Sequence, residues 1–163
     1  EADLVVSQKL ELNRALGKIP FEGFTRPVLL EGKAWLASAT LTSTEGKTMQ
    51  SQVIMVENPW EGNFFRLEFE DLRSIQMEQI QWNGAWSNDQ DVRTSIKEAL
   101  NKRISPTNPD VGKTSLLIWF KTLDSTLKLE CKRIWLPGWI LTDKETGTEY
   151  TIEGIGGSIS PFG

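Results

Sequence analysis

Carboxylates are the reactive side chains that this sequence supplies most plentifully, with 22 aspartates and glutamates in 163 residues. A pair of them about 5–10 Å apart could hydrolyse a glycosidic bond, one as acid and the other as base or nucleophile. Glu68 and Glu70 alternate with apolar residues, which predicts that they face solvent, where a charge needs no catalytic explanation. Two groups of acids could supply such a pair: Glu68, Glu70 and Asp71, and Glu145, Glu149 and Glu153.

Histidine is absent from the chain, and cysteine occurs once, at Cys131. This composition excludes Ser-His-Asp and Cys-His catalysis, histidine general bases and the usual zinc sites. Cys131 alternates with polar residues on a predicted strand, and we interpret it as an inert core residue because no histidine can activate it. We therefore assign no catalytic residue, no metal ligand and no cofactor from the sequence.

Two short motifs resemble parts of known active sites. The Gly-Lys-Thr at 112–114 matches the end of a phosphate-binding loop, but Thr107 stands where that motif needs its first glycine. The Asp-Ser-Thr at 124–126 matches two positions of the Asp-Ser/Thr-Gly signature of aspartic proteases, but it lacks the glycine and occurs in a single copy. A turn explains each motif without catalysis, and we predict a turn at both places.

Seven tryptophans against one tyrosine is an unusual balance. Trp35 and Trp119 lie inside apolar runs and are predicted to belong to the core. The others of interest flank predicted turns, where an exposed ring can stack on a sugar or anchor a protein partner. The alternative is that each ring closes one end of a sheet, with its indole N–H bonded to a loop carbonyl. The predicted ligand-binding residues are Trp82, Trp86, Trp135 and Trp139.

The segments that would carry these side chains show the two-residue period of strands. From Ala34 onward Trp35, Ala37, Ala39 and Leu41 point to one side, and a turn over 43–46 leads into a return strand. From 114 to 153 the pattern predicts four more strands, with turns at Pro137-Gly138 and over 143–147. Residues 1–20 fit either an extended or a helical segment.

One amphipathic helix is predicted over about residues 88–104. Ser87 and Gln90 form a capping-box pattern, and Val92, Ile96 and Leu100 fall on one face. Beyond the helix, Ser105-Pro106 predicts its end.

The predicted fold is therefore mainly β: an antiparallel meander of about eight strands, closed as a small barrel or folded as a sandwich, with one helix. Length and composition predict one domain over 1–163, with a Gly- and Ser-rich tail over 154–163 that is flexible or loosely held. The longest apolar run, 116–120, is far shorter than the ~20 residues of a membrane helix. A start at Glu1 fits the mature form of an exported protein or a shortened chain, so the compartment stays open.

Three functions are compatible with this sequence. The first is a non-catalytic binding module that uses a groove or barrel mouth edged by the turn tryptophans, with a small ligand, a glycan or a protein as partner. The second is a structural subunit of an assembly, which would make the chain an oligomer. The third is a hydrolase with paired carboxylates. The net charge of −4 argues against a nucleic-acid partner.

Overall fold

The computed structural model describes residues 4–6, 22–68, 72–74, 76–104 and 117–162. Within these ranges the chain is mainly antiparallel β with one α-helix, which confirms the predicted fold class. The strands are β1 (Leu4–Val6), β2 (Gly23–Thr42), β3 (Thr48–Asn58), β4 (Asn63–Leu67), β5 (Leu72–Ser74), β6 (Gln79–Ile80), β7 (Lys102–Ile104), β8 (Ile118–Thr122), β9 (Lys128–Asp143), β10 (Glu149–Glu153) and β11 (Ile159–Pro161), and the helix is α1 (Asp89–Leu100).

Two meanders make up the main strand order, β11-β10-β9-β2-β3-β4. Each meander joins strands that are consecutive in the chain, whereas the β9-β2 neighbours are far apart in sequence. Two short pairings are parallel, β1 with β9 and β2 with β6, and they depart from the predicted antiparallel pattern.

Chain contacts divide the protein into two compact units. Strands β2, β3 and β9 contribute residues to both of them. The prediction of a single domain over 1–163 stays a prediction. The first unit comprises Glu1–Ala34, Val56–Trp86 and Lys132–Gly163, and the second comprises Trp35–Met55 and Ser87–Cys131.

The core of the first unit rests on the middle of β9. Every residue from Ile134 to Leu141 except Pro137 is buried, so both faces of this stretch are covered and the two-residue period disappears. Trp135 is opposite Val5 of β1 and packs in one cluster with Val5 and Leu29.

The predicted turn at Pro137-Gly138 is wrong, because β9 runs through it without interruption. Gly138 is opposite Glu153 of β10, and a Cβ on it would lie 2.6 Å from the Leu30 side chain and 2.7 Å from the Ile152 carbonyl oxygen. Close packing therefore explains this glycine. The Pro137 carbonyl accepts from the Gly154 amide at 2.8 Å, so the pair is part of the sheet.

The second unit contains the predicted hairpin and the helix. Ala37, Ala39 and Leu41 are buried, as are Val53 and Met55 on the return strand, which confirms the alternation. Gly46 adopts φ +82 in the turn between the strands, a conformation that glycine tolerates without steric cost.

Helix α1 is shorter than predicted and has a different N-cap. Asn88, rather than Ser87, caps it, with its side-chain oxygen accepting from the Asp91 amide at 2.8 Å. It ends at Leu100, and the next residues form β7, which pairs with β8. Val92, Ile96 and Leu100 form the buried face, as their spacing predicts. The Leu100 carbonyl accepts from the hydroxyl of Ser51 at 2.9 Å.

Three further predictions are tested within the described residues. Asp124–Thr126 is a single 3₁₀ turn, so the turn interpretation of that motif is confirmed. Trp119 is 42% exposed and Cys131 is exposed, so their assignment to the core is wrong. Trp119 lies on the solvated side of an alternating strand, whereas Cys131 lies where successive residues of β9, 130–133, are all exposed and neither side is buried. The Gly-Lys-Thr at 112–114 and residues 7–21 lie outside the described residues.

The prediction that the tail over 154–163 is flexible or loosely held stays a prediction. Residues 154–156 form a turn, and β11 pairs with β10 at three positions, Tyr150↔Pro161, Thr151↔Ser160 and Ile152↔Ile159. Gly157 adopts φ +87 in the connection. The glycines therefore serve a tight return of the chain onto the sheet.

Candidate functional site

The structure separates the four predicted tryptophans by burial. Trp82 and Trp86 are half-buried and lie in an extended segment without regular secondary structure. Trp135 is 3% and Trp139 8% exposed, because both belong to the buried stretch of β9. Contact of these four residues with a ligand stays a prediction, and only Trp82 and Trp86 offer surface for it.

One side of β2 positions Trp82 and Trp86. Successive side chains of a strand point to opposite sides, so Glu31 and Lys33 share a side and lie about 7 Å apart along it. The Glu31 carboxylate accepts from the Trp82 amide at 3.0 Å, and the Lys33 ammonium lies 4.3 Å above the ring centroid of Trp86. The segment 82–86 therefore follows the strand along this side.

Trp60, which the sequence reasoning did not select, completes the group. Its ring centroid lies 4.9 Å from that of Trp82 at an interplanar angle of 72°, an edge-to-face arrangement. The turn after β3 presents it, since the Asn58 side chain accepts from the Trp60 amide at 3.2 Å. We call Trp60, Trp82 and Trp86 the tryptophan patch.

Both indole N–H groups of the Trp60-Trp82 pair are bonded within the chain. Trp60 Nε1 donates to the Glu31 carbonyl at 2.9 Å, and Trp82 Nε1 donates to the Ala85 carbonyl at 3.1 Å. Gly84 lies against the second ring, where an added Cβ would come within 2.6 Å of it. These bonds agree with the alternative that the rings close the sheet, and they also fix the orientation of the exposed ring surface.

Glu31 is the polar centre beneath the patch. Its side chain is 13% exposed, and its second carboxylate oxygen accepts from Arg133 Nε at 2.9 Å. The Arg133 side chain is 58% exposed, so this ion pair adds less than about 1 kcal/mol to stability. Arg133 compensates the negative charge of the Glu31 carboxylate, which accepts from the Trp82 amide. Lys33 and Arg133 thus supply the cationic groups at the edge of the patch.

The acids named in the sequence analysis that the structure describes lie in different surroundings, and a catalytic pair among the named acids stays a prediction. Glu68 is exposed, and Glu149 is ion-paired with Arg26 at 3.0 Å. Glu145 lies exposed in the hairpin turn, and Glu70 and Asp71 lie outside the described residues. Glu153 is the exception, because its side chain is fully buried.

Glu153 is bound by the glycine-rich turn that follows it. Its carboxylate accepts from the amides of Ile155 at 2.7 Å, Gly156 at 2.6 Å and Gly157 at 3.3 Å. The pKa of Glu153 is raised to about 7: burial is the largest cause and the neighbouring Glu61 carboxyl adds to it, whereas the amides of Gly156 and Ile155 act in the opposite direction.

The Glu61-Glu153 pair is unsuited to glycoside hydrolysis. Catalytic carboxyls in such enzymes lie about 5–10 Å apart to admit the sugar or a water molecule, whereas these two are hydrogen-bonded to each other. Backbone amides already occupy both oxygens of Glu153. A signal in the sequence exists for this site, since an acid precedes Gly-Ile-Gly-Gly, whose amides need acceptors.

Metal ligands do not cluster in the part of the chain that the structure describes: no three His, Cys, Asp or Glu side chains there are grouped for an ion. In the same ranges, no helix has the length and apolar character needed to cross a bilayer. Comparisons with protein-family models, with curated proteins and with solved structures gave no match to this chain.

Proposed function

We propose that this chain is a non-catalytic binding module whose ligand contacts the tryptophan patch, with Lys33 over one ring of that patch, Trp86. One observation carries the proposal: the indole N–H groups of Trp60 and Trp82 are bonded to backbone carbonyls of the chain itself. Rings held in this way lose little side-chain entropy when a ligand arrives, which favours binding. What they offer is ring surface rather than a hydrogen-bond donor.

The ligand that suits such a surface has a flat face rich in C–H groups and polar groups around its rim. A pyranose ring has this form, since its C–H face stacks on indole and its hydroxyls can accept from an ammonium group such as that of Lys33. A nucleobase also stacks on tryptophan, but the net charge of −4 opposes an approaching phosphate backbone. We therefore propose a glycan as the ligand class.

Calorimetric titration with a panel of mono- and oligosaccharides tests this proposal. Trp86→Ala and Trp82→Ala are the test variants, and Trp119→Ala is a matched control. Trp119 is also accessible and also carries a cation over its ring, Arg103 at 4.0 Å, but it belongs to the second unit.

We expect a saccharide to bind the wild-type chain, with affinity at least tenfold weaker in Trp86→Ala and changed less than twofold in Trp119→Ala. The proposal is wrong if no saccharide binds at millimolar concentration, or if the control variant loses as much affinity as the test variants. If a purely apolar ligand binds instead, and Trp86→Ala abolishes that binding, the patch is still the binding site but the ligand class is not a glycan.

A second candidate function is that of an assembly subunit. Exposed apolar side chains in the second unit support it. Leu117 is 58%, Trp119 42% and Leu123 37% exposed. Large apolar side chains that are exposed to this degree can contribute to a protein interface. The partner that we propose is a second copy of this chain. Native mass measurement should then show a dimer that Trp119→Ser converts to monomer, and a monomer at all concentrations would exclude this function.

A further inference from the structure

We infer that Glu61 and Glu153 form a proton-dependent latch: one shared proton holds Glu61 against the turn at 154–158, and loss of that proton releases Glu61 into solvent. This inference concerns the return of the chain into β11 and does not depend on the tryptophan patch as a binding site.

The two carboxyls come from different segments and converge on one turn. Glu153 ends β10, whereas Glu61 belongs to the turn between β3 and β4. Glu61 Oε1 accepts from the Ser158 amide at 2.8 Å, and a Cβ on Gly156 would lie 2.5 Å from the Glu61 carboxylate. The glycine thus leaves the space that Glu61 occupies.

A hydrogen bond between two carboxyl groups requires a proton on one of them. Glu153 is fully buried, so its charged form is disfavoured, and the charge of Glu61 disfavours it further. Among the residues that the structure describes, Glu61 is the ionisable side chain that acts on Glu153 from a neighbouring segment. The residue opposite Glu153 in β9 is Gly138, and the turn itself contributes only backbone amides.

When the pair loses its proton, two negative charges are left in contact in a site of low dielectric constant. Glu153 keeps its three amide donors, and its side chain is fully buried. Glu61 is half-buried and can reach solvent by rotating its side chain. The raised pKa of Glu153, about 7, places this change near neutral pH. Release of Glu61 removes the acceptor of the Ser158 amide.

The consequence is a local change beside the three-position pairing of β11. Short pairings with few buried contacts open more readily than the core. The Ser158 amide reports directly on the latch because it donates to Glu61 rather than to the strand ladder.

Amide hydrogen exchange of Ser158, corrected for the intrinsic pH dependence of exchange, tests the latch. We expect its protection to fall at least tenfold between pH 5.5 and pH 8 in the wild-type chain. In Glu61→Gln the amide group can donate to Glu153 and accept from Ser158 without a titrating proton, so protection should change less than twofold. Glu68→Gln, an exposed acid of the next strand, should behave as the wild type does.

The carboxyl carbon shifts of Glu61 and Glu153 give a second measurement that needs no variant. We expect a titration step near pH 7 that both signals share. Midpoints near 4.5 for both groups, or equal Ser158 protection at the two pH values in the wild type, would overturn the inference.

Discussion

Arg133 donates from Nε to the same Glu31 carboxylate that accepts the backbone amide of Trp82. Through this carboxylate the loop segment that presents Trp82 is joined to strands β2 and β9. Glu31 is therefore the residue whose loss should disturb the tryptophan patch most, although its own side chain is only 13% exposed.

Replacing Glu31 by alanine should lower the free energy of unfolding by about 1–3 kcal/mol, because the Trp82 amide then loses its acceptor. Arg133→Ala removes only the exposed partner and should lower it by less than about 1 kcal/mol. Urea denaturation of both variants provides the comparison. Equal losses would show that the ion pair with Arg133, and not the hydrogen bond from the Trp82 amide, accounts for the contribution of Glu31 to stability.

Gly138→Ala should destabilise the protein by about 1–3 kcal/mol, since its Cβ would collide with the Leu30 side chain and the Ile152 carbonyl. Gly84→Ala serves as a comparison, because the atoms nearest to its Cβ belong to the Trp82 side chain and not to the backbone of a neighbouring strand. Thermal unfolding measures both. If Gly138→Ala is as stable as the wild type, the close packing of β9 against Leu30 is not required.

Ile96→Ala should lower the free energy of unfolding by about 2–5 kcal/mol because it leaves a cavity beneath α1. Asn88→Ala should lower it by about 1 kcal/mol through loss of the N-cap bond. Thr94→Ala on the exposed face should be neutral or slightly stabilising, because alanine has the higher helix propensity. Chemical denaturation distinguishes the three, and a neutral Ile96→Ala would contradict the packing of the helix.

The pH dependence of stability follows from the direction of the Glu153 shift. Its pKa is raised on folding from 4.5 to about 7, so the folded state binds more protons than the unfolded state between these values. The stabilisation that comes from protonated Glu153 is present in full below pH 4.5 and is lost as the pH rises through 7. We expect the free energy of unfolding to fall by about 2 kcal/mol between pH 5 and pH 8.

Glu153→Gln provides the matching control for this slope. The variant should be less stable than the wild type at pH 5, because the glutamine side chain has one oxygen and cannot accept from the turn N–H groups at both positions. Its stability should no longer fall towards pH 8. Denaturation curves at the two pH values measure both effects. A slope equal to that of the wild type would assign the pH dependence to another group.

Much of the fold could be predicted because local patterns and tertiary packing agree over β2, β3 and α1. The helix was extended too far because Ile104 continues the helical spacing of Leu100, and only its pairing with Ile118 makes it part of a strand. Pro137-Gly138 indicates a turn by composition, whereas the packing partner that requires the glycine, Leu30, is more than one hundred residues away in sequence.

The candidate site was predicted only in part for the same reason. Trp82 and Trp86 were selected from the turn residues between them, and the structure places both beside β2. Trp135 and Trp139 were selected from a turn that does not exist. Trp60 and the Glu61-Glu153 contact depend on the return of distant segments to one place, and alternation along a single strand holds no information about that return.

Fluorine NMR of the chain labelled with 5-fluorotryptophan measures ligand contact at each ring separately, with signals assigned by single Trp→Phe variants. On addition of the saccharide panel, we expect the signals of Trp60, Trp82 and Trp86 to shift together, while those of Trp135 and Trp139 stay in place. Unchanged signals for all three patch residues, or a shift confined to Trp119, would contradict this expectation.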